Sequence, residues 1–451
     1  MFKRKIEEEL LNWKNNPRHK PLVIKGVRQC GKTSSVKQFA QQHYENVVYL
    51  DFREDPKLIP LFDDSLNVDY LTMALTAAIP GSHFVPSKTC LILDEIQDCP
   101  RARGALKFFC MDGRYDVICT GSLLGVNGYQ TPEQKKRSEL SSIPVGFEDI
   151  REMYPMDFEE WLWANGINDD VTQYLRDQLE NEQPVAQGIH LRLRQLLLEY
   201  VIVGGMPEAV QTFLLTHDVN ELKRVQRAII DEYKGDMIKY ARSEDKSRIR
   251  ECFESIPRQL ARENKKFIFG AIKKGSRAAD YEEAIQWLVD AGLVYKVERA
   301  TAPIMPLKFY CDYSAFKLYF LDCGLLACLS EASPKDLLLG TNAFVSFKGA
   351  FTENYVLQQF KAATGDTPYY FSKDNSTMEV DFLYQSDGRV IPVEVKAEVN
   401  VKSKSLYNFV NVDFADKQLK ALRISMKPFI DQGWMKNIPL FTAEAYFRNE
   451  Q

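Results

Sequence analysis

Pro21-Leu22-Val23-Ile24-Lys25-Gly26-Val27-Arg28-Gln29-Cys30-Gly31-Lys32-Thr33-Ser34 decides how the first third of the chain folds. A short apolar run of strand length stops at a glycine, and a Gly-Lys-Thr then opens a helical pattern that continues to His43. Gly26 to Thr33 satisfy G-x-x-x-x-G-K-[ST] in the setting that motif requires, a strand before it and a helix after it. The glycines let backbone N–H groups wrap around phosphate oxygens, and the helix N-terminus adds favourable partial charge. Lys32 is placed to reach the β- and γ-phosphates, and Thr33 to hold Mg²⁺. The expected nucleotide-binding residues are Gly26, Arg28, Gln29, Cys30, Gly31, Lys32, Thr33 and Ser34.

Working outward, Asn46 to Phe52, Cys90 to Asp94 and Asp116 to Thr120 are further apolar runs, separated by helical stretches such as Thr33 to His43 and Arg103 to Asp112. That alternation predicts a parallel sheet with crossover helices. Leu91-Ile92-Leu93-Asp94-Glu95 buries a strand and delivers two carboxylates at its C-terminal end, the edge where open α/β sheets bind ligands. Asp94 is expected to hold Mg²⁺ through water and Glu95 to activate the attacking water. The next strand ends in Cys119-Thr120-Gly121-Ser122, whose hydroxyls at Thr120 and Ser122 suit sensing of the γ-phosphate; a plain strand-to-turn junction is the other reading of Ser122.

The chain has 451 residues, which at roughly 150 per domain predicts two to four domains. Its hydrophobic and charged content is that of a folded protein, and its net charge of −4 excludes a polycationic nucleic-acid binder. Any nucleic-acid site must therefore be a local patch. Nine scattered cysteines without paired C-x-x-C spacing read as reduced thiols of a cytoplasmic protein, and no histidine joins them at a zinc-ligand spacing. No apolar stretch reaches membrane-spanning length. The start, Phe2 to Trp13, reads as an amphipathic helix packed on the following domain.

Three later regions carry chemistry or organisation. Tyr129 to Ser142 is polar, without periodicity, and reads as a loop. Residues 155–235 read as helical, interrupted at Gln183-Pro184 and Gly204-Gly205-Met206-Pro207. Between 223 and 277 there are 16 lysines and arginines against 8 acidic residues, leaving −12 on the rest of the chain. Ile268 to Val297 reads helix, turn, helix, strand: a winged-helix pattern, with Ser276 to Leu288 as its second helix and Leu293 to Glu298 as the wing. Lys265, Lys266, Lys273, Lys274 and Arg277 crowd its approach and suit phosphate contact; a subunit-packing module with a solvated basic face is the alternative. Trp287 reads as core.

After Pro306 the pattern changes to strands at Leu307–Cys311, Tyr369, Glu379–Tyr384 and Val390–Lys396, with a helix at 351–364. Ser386-Asp387-Gly388 supplies a hairpin turn. Strand alternation puts Glu394 and Lys396 on one face, and a hairpin would set Asp381 beside Glu394, with Glu353 on the preceding helix able to complete the group. Lys402, Lys404 and Lys417 follow; phosphate contact and a solvated surface are equal alternatives for them.

The phosphate loop, the Leu91–Glu95 strand and Thr120-Gly121-Ser122 together resemble the AAA-type ATPases. Arg28 to Thr33 is similar to the G-x-R-Q-x-G-K-T loop of a prokaryotic ATPase family whose C-terminal domain often has a nuclease-like fold, and the resemblance runs nearly the length of the chain. Tyr154 to Trp161 resembles that family's P-L-x-F-x-E-F segment, and Gly204 to Glu208 its G-G-x-P-E element. Gly146-Phe147 departs from the family's Gly-Arg, which leaves the arginine finger to Arg101, Arg103, Arg114 or Arg151, or absent. The C-terminal pattern resembles the PD-(D/E)XK nuclease core. That resemblance implies Asp381 and Glu394 as metal ligands with Glu353 assisting, and Lys396 as the catalytic lysine.

The fold class so read is α/β: a P-loop parallel sheet with helices on both faces, a helical and winged-helix segment, and a small α/β nuclease-like domain, bounded at 1–165, 166–300 and 301–451. The resemblance implies an ATP- and Mg²⁺-dependent ATPase acting on DNA, branched DNA included by analogy, and a homo-oligomer such as a ring. The alternative is a nucleotide-dependent partner-binding or defence switch whose nuclease-like domain is inactive.

Overall fold

Leu22–Gly26 forms β1, and Thr89–Asp94 forms β3. Leu22, Val23, Ile24 and every residue of β3 are buried, as strands covered on both faces must be. Asn46–Asp51 (β2), Asp116–Ser122 (β4) and Asp149–Met153 (β5) complete a five-stranded sheet in the order β2-β3-β4-β1-β5, parallel throughout. Helices Lys32–His43, Val68–Ala78 and Pro100–Asp112 flank it. The last begins with proline at its first position and ends at Gly113 in the left-handed conformation. β5 was not legible in the sequence. Asp149-Ile150-Arg151-Glu152-Met153 is an edge strand, where only Met153 is buried and charges tolerate solvent. The initial helix is Ile6–Asn15, with Ile6, Leu10 and Trp13 buried as the amphipathic pattern predicts.

The computed structural model describes residues 1–128, 144–262, 265–331, 345–374, 376–397 and 403–450. The loop read at Tyr129–Ser142 and Lys402 lie outside the described residues. The chain divides into two compact units. One comprises Met1–Tyr154 with Gly235–Ser243 and Asp290–Gly292; the other holds the remainder.

The second unit contains helices Phe158–Ala164, Asp169–Glu180, Gln187–Val203 and Pro207–Thr216, with breaks where Pro184 and Gly204–Pro207 predict them. The glycine pair is structural. A Cβ on Gly205 would stand 2.0 Å from the carbonyl oxygen of Met156, and the Gly205 N–H donates to the buried Asp322 carboxylate at 2.6 Å. The helix expected from Ile268 is reduced to a single turn at Phe269–Ala271, while the second forms as Ala278–Asp290 with Trp287 buried. The expected wing, Val294–Ala300 (β6), is an interior strand of a larger sheet, and Leu307–Tyr310 is a turn rather than a strand.

That larger sheet has eight strands. It adds Cys311–Phe320 (β7), Tyr369–Ser372 (β8), Glu379–Ser386 (β9), Arg389–Lys396 (β10), Ala421–Ser425 (β11), Ile430–Asp431 (β12) and Met435–Pro439 (β13), in the order β12-β13-β11-β10-β9-β8-β6-β7. β9 and β10 form the predicted antiparallel hairpin, closed by Asp387 and Gly388, both at positive φ. β10, β11 and β13 run parallel. The helix Val345–Thr364 buries Tyr355 and Leu357 in this unit. Among the described residues no helix is long and apolar enough to cross a membrane.

Candidate functional site

In the first unit the phosphate loop lies at the C-terminal tip of β1. Gln29 and Gly31 adopt left-handed backbone conformations, and Gly31 caps the helix Lys32–His43 without any side-chain cap. The open N–H groups of that first turn are what an anion would accept. Gly26 is required by close approach: a Cβ there would stand 2.3 Å from the Met153 carbonyl oxygen on β5. Lys32 is 8% exposed, its ammonium donating to the carbonyls of Gly26 at 3.0 Å and Val27 at 2.7 Å. Thr33 is half-buried and Ser34 exposed beside it. Of the other expected contacts, Arg28 is committed to Asp236 at 2.9 Å and stacks near Tyr240. Cys30 is fully buried, its thiol 3.5 Å from the Met153 carbonyl and 3.9 Å from the Lys32 ammonium. The buried Arg4, which the sequence did not flag, donates to the Cys30 carbonyl at 2.7 Å and to Tyr154 at 2.8 Å.

Because β4 lies between β1 and β3, its tip brings Thr120 to Asp94. Asp94 is 2% exposed and accepts from the Thr120 hydroxyl, from the Tyr49 hydroxyl at 2.8 Å and from the Glu95 N–H at 3.1 Å. Burial, then the Asp94 charge, push the Tyr49 phenol far up, so it stays a donor. Glu95 sits in the left-handed region at φ 54°, an unfavourable conformation for a non-glycine residue held by its surroundings. Its carboxylate pairs with Arg53 at 2.7 Å and accepts from the Gln97 amide. Burial opposes the charge of Arg53, but Glu95 and Asp98 overcome it and hold the guanidinium ionised. Ser122 caps the short helix Leu123–Val126, accepting from the Gly125 N–H at 3.3 Å. Tyr49 and Arg53 were missed, although both lie on or just past β2, whose tip pairs with that of β3 at Asp51 and Asp94. The hard oxygens of Thr33 and Asp94 have the chemistry Mg²⁺ requires.

The four candidate arginines also separate. Arg101 donates to the Phe62 and Asp63 carbonyls, Arg103 is clamped on Glu148, and Arg114 on Asp112 and Asp69. Arg151 is 51% exposed, donating to the Ile150 carbonyl at 3.0 Å and pairing with Glu9 at 3.8 Å.

In the second unit the β9–β10 hairpin does set Asp381 against the Glu394 segment: Asp381 accepts from the Val395 N–H at 2.8 Å. Glu394 pairs with Lys396 at 2.7 Å. Two lysines that the sequence offered no reason to place here join them. Lys265, expected at a DNA-facing surface, lies 2.5 Å from Glu353. Lys317, fully buried, pairs with Glu379. Tyr319 donates to the other Glu353 oxygen at 2.9 Å. Burial works against the ionised Glu353, but Lys265, Lys317 and the Tyr319 hydrogen bond hold it below the usual carboxylate range. Burial and the Glu353 charge push Asp381 up to about 7. Among the described residues no three acidic, cysteine or histidine side chains converge as a metal-binding group. Glu353, Asp381 and Glu394 are thus brought into one electrostatic network but each is engaged by protein donors. Lys404 and Lys417 are exposed, the latter paired with Asp416.

Residues 18–162 match the family model described as an AAA domain. Residues 194–336 and 348–436 match two families described as domains of unknown function, DUF8612 and DUF4143. An uncharacterized protein of Methanocaldococcus jannaschii is 24% identical over 424 residues, covering 92% of this chain and 83% of its own. Among solved structures, a Walker-type ATPase of Pyrococcus abyssi is 16% identical, covering 73% of this chain and 96% of that one with a TM-score of 0.38. Cdc6p from Pyrobaculum aerophilum is 12% identical, covering 74% and 92% with a TM-score of 0.24. With its parallel sheet, phosphate loop and acidic strand tip, the segment 18–162 is a P-loop domain of the AAA type.

Proposed function

We propose that this protein is an ATPase that couples ATP hydrolysis to work on DNA. The observation that carries the reading is the strand tip of β3, where Asp94 is held by Tyr49 and Thr120 and Glu95 is held by Arg53, in the same domain as the uncapped phosphate loop. In this reading the open N–H groups and Lys32 bind the β- and γ-phosphates, and Lys32 exchanges two neutral carbonyls for an anion. Thr33 and, through water, Asp94 would hold Mg²⁺, which when bound would supply positive charge beside the phosphates. Glu95 orients and deprotonates the attacking water once Arg53 releases it, and Thr120 and Ser122 line the neighbouring tip. ATP turnover of wild type against Glu95→Gln tests it. Turnover should fall about a hundredfold or more while nucleotide binding persists; equal rates refute the assignment.

DNA is supported by the basic segment 223–277, in which Lys273, Lys274 and Arg277 are exposed. The likeness of Asp381, Glu394 and Lys396 to a nuclease core, with Glu353 as fourth member, supports a nuclease-like module for divalent metal. The oxygen donors are of the right kind, and Glu394 Oε2 is buried without a hydrogen-bond partner. An oligomer, a ring among the forms, follows from AAA sites needing a neighbour's arginine, for which Arg151 is the exposed candidate. The nine free cysteines suit a reducing cytoplasm. The second reading, a nucleotide-dependent partner-binding switch with an inactive nuclease-like domain, is favoured by one observation: the lysines already neutralise the carboxylates. Cleavage of linear and four-way DNA with Mn²⁺, wild type against Asp381→Ala, separates the two.

A further inference from the structure

We propose that Gln97 is a positioning residue for hydrolysis, holding Glu95 by one carboxylate oxygen so that the other is presented to the attacking water. The inference rests on the reading of Glu95 as the base given above. Glu95 adopts a left-handed backbone conformation and precedes a single turn, Ile96–Asp98, which carries Gln97. The Gln97 amide donates to Glu95 Oε2, and Arg53 pairs with the same oxygen at 2.7 Å. Among the described residues none donates to Oε1. A carboxylate pinned through one oxygen keeps its orientation and leaves the other free to accept from water.

Gln97 is 6% exposed, and its own Oε1 is buried without a hydrogen-bond partner. An unpaired amide oxygen in the interior costs stability, and an apolar side chain of the same length would serve the fold better. The amide is therefore accounted for by what its N–H reaches, which is Glu95. Two glycines make the room it needs. A Cβ on Gly125 would stand 2.4 Å from the Gln97 Cγ and 2.5 Å from its Cβ, and one on Gly121 would stand 2.8 Å from its Oε1. Gly121 lies on β4 between Thr120 and Ser122, so the strand tip read as sensing the γ-phosphate also shapes the seat of Gln97. Arg53 is held differently. Its side chain is 37% exposed, lies past the end of β2 and has a second carboxylate in Asp98 at 3.4 Å. A guanidinium weakens a carboxylate as a base by favouring its ionised form, a neutral amide far less. Arg53 is thus the donor suited to withdraw, and Gln97, neutral and enclosed, is the one that keeps its hold.

The test is steady-state ATP turnover by the full chain, with the thermal transition measured beside it. Gln97→Met keeps the length of the side chain and removes the donor. It should lower kcat about tenfold to a hundredfold while KM for ATP changes less than about twofold. Its thermal transition should stay where it was or rise, since the unpaired oxygen is gone. In a Glu95→Gln background the same substitution should cost nothing further, because its effect passes through the carboxylate. Wild-type kcat in Gln97→Met, or a loss that multiplies with that of Glu95→Gln, overturns the positioning role. A fall in kcat that comes with a raised KM and a lowered transition also overturns it, in favour of a structural one. If Glu95→Gln itself turns over at the wild-type rate, the reading of Glu95 as the base fails, whatever Gln97 does. Should Gln97→Met not fold, Gln97→Ala, which cannot overfill the seat, takes its place, and the same outcomes in kcat, KM and the double variant decide.

Discussion

Lys32 and Lys317 are both buried ammonium groups, yet one rests on the carbonyl oxygens of Gly26 and Val27 and the other on the carboxylate of Glu379. The difference separates two kinds of site. A cation satisfied by neutral carbonyls keeps its full charge available for an incoming anion. A cation satisfied by a carboxylate has that charge already cancelled. Burial opposes the charge on Lys317, but Glu379, Glu353 and Asp381 outweigh it and hold the ammonium protonated. The phosphate loop is therefore poised for a ligand, whereas the carboxylate cluster is balanced from within.

The largest expected effect tests the first half of that contrast. Lys32→Ala should lower ATP turnover roughly 10²–10³-fold, measured as phosphate release, because a preorganised charge aimed at the transferred phosphoryl is lost. Undiminished turnover would break the comparison at its first member. Stability sharpens the second half. Lys317→Met strands Glu379 and adds to the unpaired charge around Glu353, so it should cost about 3–5 kcal/mol in urea denaturation. Lys32→Met gives up only two bonds to carbonyls and should cost about 1–2 kcal/mol. Equal losses would erase the distinction.

A smaller effect concerns pH. The Asp381 carboxyl is raised from 3.8 to about 7 by burial and by Glu353. The folded state therefore holds a proton there that the unfolded chain has released, and stability falls as pH rises through that interval. Asp381→Asn should raise the stability at about pH 8 by on the order of 2 kcal/mol, the gain shrinking toward pH 4. A gain that instead grew on acidification would show that Asp381 is ionised throughout. The smallest effect belongs to lysines that are neither buried nor matched. Replacing both Lys273 and Lys274 with glutamine should weaken DNA binding a fewfold and reduce its salt slope by about 2.

Local pattern was enough where neighbours in sequence are neighbours in the site. The loop Gly26–Ser34, the acidic tip Asp94-Glu95 and the hairpin carrying Asp381 and Glu394 each depend on a turn, a strand period or a helix start written within a dozen residues. The wing assigned to 293–298 failed for the opposite reason. A half-buried strand has the same alternation whether it ends a hairpin or lies inside a sheet, and only its pairing with β8 as well as β7 distinguishes them. Likewise, the basic count between 223 and 277 could not reveal that Lys265 is turned inward to Glu353, 88 residues further on.

By itself, then, the sequence determined a phosphate-binding loop, a buried strand ending in two acids, and a two-stranded turn bearing carboxylates and a lysine, since these rest on backbone preferences and on periodicity. Tertiary structure alone decided that Arg53 holds Glu95, that Tyr49 and Thr120 hold Asp94, and that Lys265 and Lys317 neutralise the second cluster. Those partners lie on separate elements, and the pairing of charges buried together depends on distance through space, which no local pattern encodes.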